Sequence, residues 1–328
     1  MYSILQLVAG SILVIIGGLL FTSSLEFLAS KFRFTTSLTG AVISPILTSL
    51  PELTVIIVAL IHGGVEGSEI SIGTVIGEPF MASTIIYPML ILTALISYFK
   101  KRRRSPRLRP DREVVIPFIV FTILFPIVLI PHYISNIYMK YLVGISLLAS
   151  YFIYVILTTR SGKVMSVEHS SEVVFSKIIK NIYAASILQL ILSILFIYFG
   201  SRNLVDGVIY ISKIFNIDPQ LLSIVIIPSV SALPESVVGL VWAYNGKDTL
   251  ALESIVGEKV LYSTFYPGIA IFVTEWILKL SSIFCIFYTT LISLIMIFYI
   301  LRQDIGFEVA ILGLAGYILY ILTMLHIL

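Results

Sequence analysis

Long apolar runs, separated by short polar or charged breaks, follow one another along the chain. An α-helix needs about 20 apolar residues to cross the hydrocarbon core of a bilayer. Ten runs meet this need, at roughly 4–29, 36–61, 70–99, 113–131, 137–158, 178–200, 219–244, 249–275, 281–301 and 306–327. The pattern therefore predicts an all-α membrane protein with ten transmembrane helices.

The composition supports a membrane protein. Of the 328 residues, 58% are hydrophobic and 12% are charged, with a mean hydropathy of +1.05. A soluble globular domain has about 45–50% apolar and about 25% charged residues. The chain therefore lacks the polar shell of a soluble fold, and the lipid bilayer is its expected partner. The first run has no charged segment before it and no small-residue cleavage site, so it is expected to be a retained span.

Basic residues are distributed unequally between the predicted loops, and this inequality sets the orientation. With the N-terminus outside, the inner loops hold Lys31, Arg33, Lys100, Lys101, Arg102, Arg103, Arg104, Arg107, Arg109, Arg112, Arg160, Lys163, Lys177, Lys180, Lys247 and Arg302. The outer segments hold only Lys140, Arg202, Lys213 and Lys279. This predicts a multi-pass protein of the cell membrane with both termini extracytoplasmic. The cluster at 100–112 is expected to face anionic headgroups and not nucleic acid.

Two motifs occur twice. The segment 44–52 has two prolines six residues apart and then Glu52, and the segment 227–235 repeats this pattern, with Glu235 lying 183 residues after Glu52. Downstream, Gly-Thr-Val-Ile-Gly-Glu at 73–78 corresponds to Glu-Ser-Ile-Val-Gly-Glu at 253–258. In each predicted five-helix half, the proline–glutamate motif therefore falls on the second helix and the glycine–glutamate motif on the third.

Five spans is an odd number, so the second copy must enter the membrane from the opposite side. Inverted repeats are a common plan of secondary transporters, whose binding sites lie near the midplane where the repeats meet. We predict a first five-helix repeat over 1–160, a cytoplasmic linker over 161–177, and a second, inverted five-helix repeat over 178–328.

Four glutamates fall inside predicted spans: Glu52, Glu78, Glu235 and Glu258. A charge at the bilayer centre costs about 2.5–3.5 kcal/mol on insertion scales, so these groups need cations, protons or partners. Prolines free backbone carbonyls that are tolerated in a membrane only beside a cavity. Hard divalent cations bind such oxygen mixtures. The candidate ligands are Glu52, Glu235, Thr48, Ser49 and Ser231, with Glu78 and Glu258 beside them.

Lys259 is the obvious partner of Glu235 or Glu258. It is either a fixed counter-charge that replaces one transported cation or half of a bridge that locks the protein. Glu253, at the inner end of a span, is a further candidate for coupling. Thr74 and Ser254 are weaker candidates, because transmembrane hydroxyls often bond their own helix backbone.

Other site chemistries have little support in the sequence. The four histidines are scattered, the single cysteine, Cys285, lies in an apolar run, and 239–247 lacks phosphate-loop spacing. No His, Cys or Ser–base constellation predicts an enzyme. We therefore expect a protein with no enzymatic activity, no resident cofactor and no obligatory protein partner.

The duplicated motifs resemble the cation/calcium exchanger superfamily and, within it, the sodium/calcium exchangers. That family has ten helices in two inverted halves, with a Gly-Thr-Ser-Leu-Pro-Glu-like segment and a Gly-Asn-x-x-Gly-Ser-Asn-like segment in each. The resemblance implies that Glu52 and Glu235 are calcium ligands, with hydroxyl ligands from Thr48 and Ser231. It also implies that the first and sixth helices slide across the rest.

The second segment departs from the family pattern. Thr74 and Ser254 replace its first asparagine, Glu78 and Glu258 replace its serine, and Pro79 and Lys259 replace its last asparagine. Later polar ligand positions correspond to Ala82 and Tyr262. Much of the sodium-ligand set is thus absent, and the two extra glutamates are candidate proton carriers.

These observations predict a secondary-active antiporter that exchanges calcium for sodium or protons by alternating access. Two alternatives remain: an exchanger-fold protein for another inorganic cation, such as magnesium, manganese or potassium, and a non-transporting protein locked by a Lys259–glutamate bridge.

Overall fold

The structure, a computed structural model, describes residues 2–31, 49–160 and 173–325. Within these ranges the chain is helical, apart from connecting loops and one isolated β-bridge between Leu108 and Ile305. The α-helices are α1 (Tyr2–Lys31), α2 (Leu50–His62), α3 (Gly64–Met81), α4 (Tyr87–Phe99), α5 (Val115–Leu124), α6 (Ile130–Tyr133), α7 (Ile137–Arg160), α8 (Ile182–Phe215), α9 (Pro219–Tyr244), α10 (Asp248–Val273), α11 (Leu280–Leu301) and α12 (Phe307–Met324). The all-α class is confirmed.

Seven helical stretches in the described ranges are long and apolar enough to cross a membrane, and the bent helix α9 adds an eighth. Helix α10 has sufficient length, but its charged residues, which include Glu258 and Lys259, lower its hydropathy. Half of the predicted second span, residues 36–48, lies outside the described residues, and α2 forms most of the described half. A multi-pass membrane protein is thus supported, while the count of ten and the inverted symmetry stay predictions.

Contacts divide the chain into two compact units. The first contains Met1–Ser71 and Ser150–Asn216, and the second contains Ile72–Ala149 and Ile217–Leu328. Each unit therefore takes segments from both halves of the sequence. The predicted repeat boundaries at 160 and 178 stay predictions, and residues 161–172 of the predicted linker lie outside the described ranges.

In the first unit, α1 and α8 pack through glycines. A Cβ atom on Gly10 would lie 2.6 Å from the backbone nitrogen of Leu204 and 2.8 Å from the carbonyl oxygen of Gly200. Polar groups add to this contact, because Gln189 on α8 donates hydrogen bonds to Leu20 O at 3.0 Å and Ser23 Oγ at 2.7 Å. Small residues and buried hydrogen bonds are the usual means of helix association in lipid. Helices α1 and α8 thus form one tightly packed pair.

In the second unit, α3 packs against α9 through two further glycines. A Cβ on Gly73 would lie 2.3 Å from Gln220 O, and one on Gly77 would lie 2.6 Å from Ile224 O. Ile224 is four residues before Pro228, so its carbonyl is one that the proline deprives of a helical donor. The glycine surface of α3 covers this freed carbonyl.

Three predicted inner loops meet at one end of the second unit. Arg103 and Asp248, whose side chains are 5% and 6% exposed, form an ion pair with bonds of 2.6 and 2.7 Å. Asp248 also accepts the backbone N–H of Arg109 at 2.7 Å. Leu108 and Ile305 exchange backbone hydrogen bonds of 2.9 and 3.0 Å. These contacts hold the basic segment 100–112 against the start of α10.

Predicted outer loops meet at another place in the second unit. Gln220 donates to Ile277 O at 2.9 Å and accepts the backbone N–H of Lys279 at 2.8 Å. The ammonium of Lys279 also pairs with Asp218 at 2.9 Å. Loops assigned to one side of the membrane by the basic residues thus contact each other, as alternating spans require.

Candidate cation site

Helix α9 carries the second copy of the proline–glutamate motif. Its parts Pro219–Ala232 and Ser236–Tyr244 are bent by 59°. Pro234 lies in this bend, and proline is a common cause of a sharp kink because it removes one backbone donor and clashes with the preceding turn. Glu235 lies on the same stretch of backbone, and its side chain lies outside the described part of the structure.

Glu78 on α3 contacts Ser231 on α9. The Ser231 Oγ lies 2.7 Å from Glu78 Oε1 and 3.0 Å from Ile227 O, so the two oxygens share one hydroxyl hydrogen. Both side chains are buried, at 6% and 5% exposed. The structure therefore joins the second motif of the first half to the first motif of the second half.

Glu258 on α10 belongs to the same cluster. Its carboxyl group interacts electrostatically with that of Glu78 and with the hydroxyl of Tyr87. Two acidic groups and a serine hydroxyl from three helices are thus gathered within the second unit. Acidic groups inside a membrane need a cation, a proton or another partner.

Lys259, the next residue on α10, is buried, but its contacts differ from the predicted ones. Its Nζ donates to Ser83 Oγ at 2.8 Å and to Ser293 Oγ at 2.9 Å, and it lies 4.2 Å from the centroid of the Phe121 ring. Both of these described hydrogen bonds go to hydroxyl oxygens and neither goes to a glutamate. The described hydrogen bonds of its amine do not include Glu258, the residue before it, since successive residues on a helix point in different directions. The predicted lysine–glutamate bridge stays a prediction. The expected bridge to Glu235 lies outside the described side chains.

Ser83 reaches Lys259 from an irregular turn. The segment Ala82–Ile86 is π-helical and joins α3 to α4. Such bulges insert one extra residue per turn and occur often at functional sites. Sequence reasoning missed Ser83, Ser293, Tyr87 and Phe121, since none of them lies in a duplicated motif. The only available signal was the general need of a buried lysine for hydroxyl or aromatic partners.

Two further described candidates lie in the first unit. Ser49 and Glu52, 1% and 2% exposed, stand at the start of α2, where Pro51 occupies its first turn. A proline there removes only an N–H that has no helical partner. The carboxylate of Glu52 lies in the turn where the helix dipole favours negative charge. Thr48, the predicted hydroxyl ligand beside them, lies outside the described residues.

The weaker candidates behave differently from one another. Ser254 donates to Ala251 O on its own helix at 3.1 Å, as expected for a transmembrane hydroxyl. Thr74 is fully buried on α3, and Glu253 is partly buried on α10.

Among the described side chains, no group of three His, Cys, Asp or Glu residues is arranged to hold a metal ion. The predicted ligand set also includes Thr48 and the Glu235 side chain, which are not described.

The chain matches the family described as sodium/calcium exchanger protein over residues 2–160 and 185–326. These segments make up most of its 328 residues, so the chain belongs to this family of membrane cation antiporters. The predicted superfamily is confirmed. No curated protein sequence matches the chain.

Solved exchanger structures share the fold. The H+/Ca2+ exchanger CAX superimposes with a TM-score of 0.75 at 18% identity, over 98% of this chain and 82% of CAX. Native YfkE gives 0.69 at 16% identity, over 99% and 92% of the two chains. The sodium-calcium exchanger NCX_Mj soaked with 2.5 mM Na+ and 0.1 mM Ca2+ gives 0.60 at 21% identity, over 99% of both. At these identities the likeness is one of fold.

Proposed function

We propose that this protein is a secondary-active antiporter that exchanges calcium for protons or sodium by alternating access through a glutamate site near the membrane midplane. Family membership supports the cation antiport. The observation that carries the finer proposal is the buried Glu78–Ser231 hydrogen bond, together with the electrostatic interaction between Glu78 and Glu258. Carboxylate and hydroxyl oxygens on several helices are the ligand type that Ca2+ takes, in sets of 6–8.

The proposed roles follow the duplicated motifs. Glu52 and Glu235 are the central ligands, and Thr48, Ser49 and Ser231 supply hydroxyl oxygens. Glu78 and Glu258 are flanking ligands or proton carriers. The hydrogen bond from Ser231 to Glu78 supports a link between the central and flanking groups.

The tight contact between α1 and α8 supports the sliding of these two helices as one body. Their glycines bring backbone to backbone, so one helix cannot shift far without the other. Alternating access in this protein would then move the α1–α8 pair as a single element.

Protons are the favoured driving ion. Glu78 and Glu258 replace a polar residue of the family's second motif in each half. Their carboxyl groups interact electrostatically, and such a pair can bind and release protons. Lys259 stands at another of these positions and brings its own ammonium group. A carrier for magnesium, manganese or potassium uses the same oxygen chemistry and is the principal alternative.

The test is calcium uptake into liposomes that contain the purified protein. The lumen is loaded with a higher concentration of sodium than the outside, with a higher concentration of protons, or with neither. We expect uptake only when the lumen supplies protons or sodium, and faster uptake with protons. Protein-free liposomes give the leak. Uptake of another divalent or monovalent cation, with none of calcium, would contradict the calcium assignment.

A further inference from the structure

The side chain of Lys259 ends inside the protein. The residue is 1% exposed and stands near the middle of the 26-residue helix α10. Lysines in membrane proteins usually extend their chain to the headgroup region, where the ammonium is hydrated. Here the ammonium is instead surrounded by side chains of the second unit, so its partners must replace water.

Two of these partners are hydroxyl acceptors. Nζ donates to Ser83 Oγ at 2.8 Å and to Ser293 Oγ at 2.9 Å. Ser293 donates its own hydrogen to Thr289 O at 2.9 Å, so its oxygen lone pairs are directed to the amine. This arrangement fits a group that only donates, which is the character of an ammonium ion.

Three aromatic rings complete the surroundings. Their centroids lie 4.2 Å (Phe121), 5.0 Å (Tyr87) and 5.8 Å (Phe118) from Nζ. A ring face attracts a cation within about 6 Å, and several such rings form the cages that recognise ammonium ligands in proteins. The five residues Ser83, Ser293, Tyr87, Phe118 and Phe121 are called the Lys259 cage below.

The cage is held by its own packing as well as by the lysine. Phe121 stacks on Phe125 with centroids 4.8 Å apart, and Tyr87 packs on Phe118 at 5.8 Å. All five cage residues are buried, and they come from the π-helical turn, α4, α5 and α11. A pocket supported from several helices is expected to keep its shape when the occupant is shortened.

We infer that the Lys259 cage is a binding site for a primary ammonium ion, which the chain fills with its own side chain and which takes up a small alkylammonium ion when Lys259 is truncated. The inference does not depend on calcium exchange, because binding is measurable without transport. In the native protein the occupant is covalently attached, so the amine does not leave the cage by dissociation.

The test uses Lys259→Ala, which removes three carbons and the amine, the equivalent of n-propylammonium. Thermal melting of the purified variant in detergent is measured with ammonium, methylammonium, ethylammonium, n-propylammonium and n-butylammonium chloride. We expect the melting temperature to rise with chain length up to n-propylammonium and to fall beyond it. n-Propanol, the neutral analogue, and tetramethylammonium, which lacks N–H donors, should stabilise the variant much less.

The wild-type protein and one matched variant serve as controls. Wild-type protein and Lys259→Met, whose side chain fills the pocket without a charge, should show no chain-length optimum. A response of Lys259→Ala that equals that of Lys259→Met overturns the inference. So does an equal response to n-propanol and n-propylammonium.

A second comparison decides the matter if Lys259→Ala fails to fold. Phe121→Leu removes the ring nearest to Nζ, and Phe125→Leu removes its stacked neighbour, which has no contact with the amine. We expect Phe121→Leu to lower the melting temperature more. Equal losses in the two variants would show that the ring acts by packing alone and would overturn the cage.

Discussion

The hydroxyl of Ser231 and the carboxyl group of Glu78 are joined across α9 and α3, with 2.7 Å between Ser231 Oγ and Glu78 Oε1. The residues lie 153 positions apart and belong to different motifs of different halves. Their contact means that one polar cluster contains residues from both halves of the chain. Substitutions in one motif are therefore expected to alter the affinity for a cation bound by both.

Replacing Ser231 by alanine tests this contact. A hydrogen bond to a charged group contributes about 1.5–3 kcal/mol, so its loss should weaken cation affinity by about tenfold or more. Ser229→Ala is the matched control, because Ser229 donates only to Val225 O on its own helix, at 2.6 Å. The measurement is the calcium dependence of uptake. Equal effects of the two substitutions would show that the Ser231 hydroxyl has no special role.

Glu78 and Glu258 carry the proposed proton coupling. Their replacement by glutamine, singly and together, should reduce calcium uptake driven by a proton gradient by at least about tenfold, since an amide neither binds nor releases the proton. Uptake driven by an imposed calcium gradient, measured as calcium–calcium exchange in the same liposomes, should persist in part. Unchanged proton-driven uptake in the double variant would assign coupling to other groups.

The α1–α8 contact predicts a difference between two glycines on α1. Gly10→Ala would place a Cβ 2.6 Å from Leu204 N, whereas Gly18→Ala would meet its nearest neighbour, Pro51 Cγ, at 3.6 Å. Overpacking costs about 1–3 kcal/mol, so Gly10→Ala should lower the melting temperature clearly. Gly18→Ala should be neutral or slightly stabilising, because alanine favours helix by about 0.5–1 kcal/mol. Similar melting temperatures would argue against close helix contact.

The Arg103–Asp248 pair predicts that the stability of the protein depends strongly on the Asp248 carboxylate. Asp248→Asn leaves the buried guanidinium without its counter-charge, which costs about 3–5 kcal/mol for buried pairs. The control is Glu66→Gln, in an exposed pair with Lys213 at 3.2 Å, where about 0–1 kcal/mol is expected. Thermal melting of the Asp248→Asn and Glu66→Gln variants at two salt concentrations measures these losses of stability. A comparable loss in the two variants would contradict a buried pair at Asp248.

The hydropathy pattern was sufficient to predict the helical membrane class, and the duplicated motifs were sufficient to predict the family, because both are local features of the chain. The helix boundaries were predicted less accurately than the class and the family. The sixth apolar run ends near 200, but α8 continues to Phe215, where Asn216 takes a left-handed conformation with φ of 53°. Polar residues such as Arg202 and Asp206 are exposed on this last part of the helix, so they end the apolar run without ending the helix.

The partners of the charged residues were harder to predict. The sequence indicated that Glu78 and Ser231 were candidates, but their pairing depends on the packing of α3 against the bent α9. For Lys259 the sequence pointed to Glu235 or Glu258, whereas its described hydrogen bonds go to Ser83 and Ser293. Its hydroxyl and aromatic partners come from distant segments, and the π-helical turn that presents Ser83 has no recognisable sequence signal.

Calcium uptake by Glu52→Gln and Glu235→Gln in proton-loaded liposomes tests the central claim most directly. Both substitutions keep the size of the side chain and remove the negative charge that a divalent cation requires, and Glu113→Gln, at an exposed position, is the control. We predict that each site variant loses gradient-driven calcium uptake by about a hundredfold, while Glu113→Gln transports like the wild type. Full transport by Glu52→Gln and Glu235→Gln would contradict a glutamate-based calcium site.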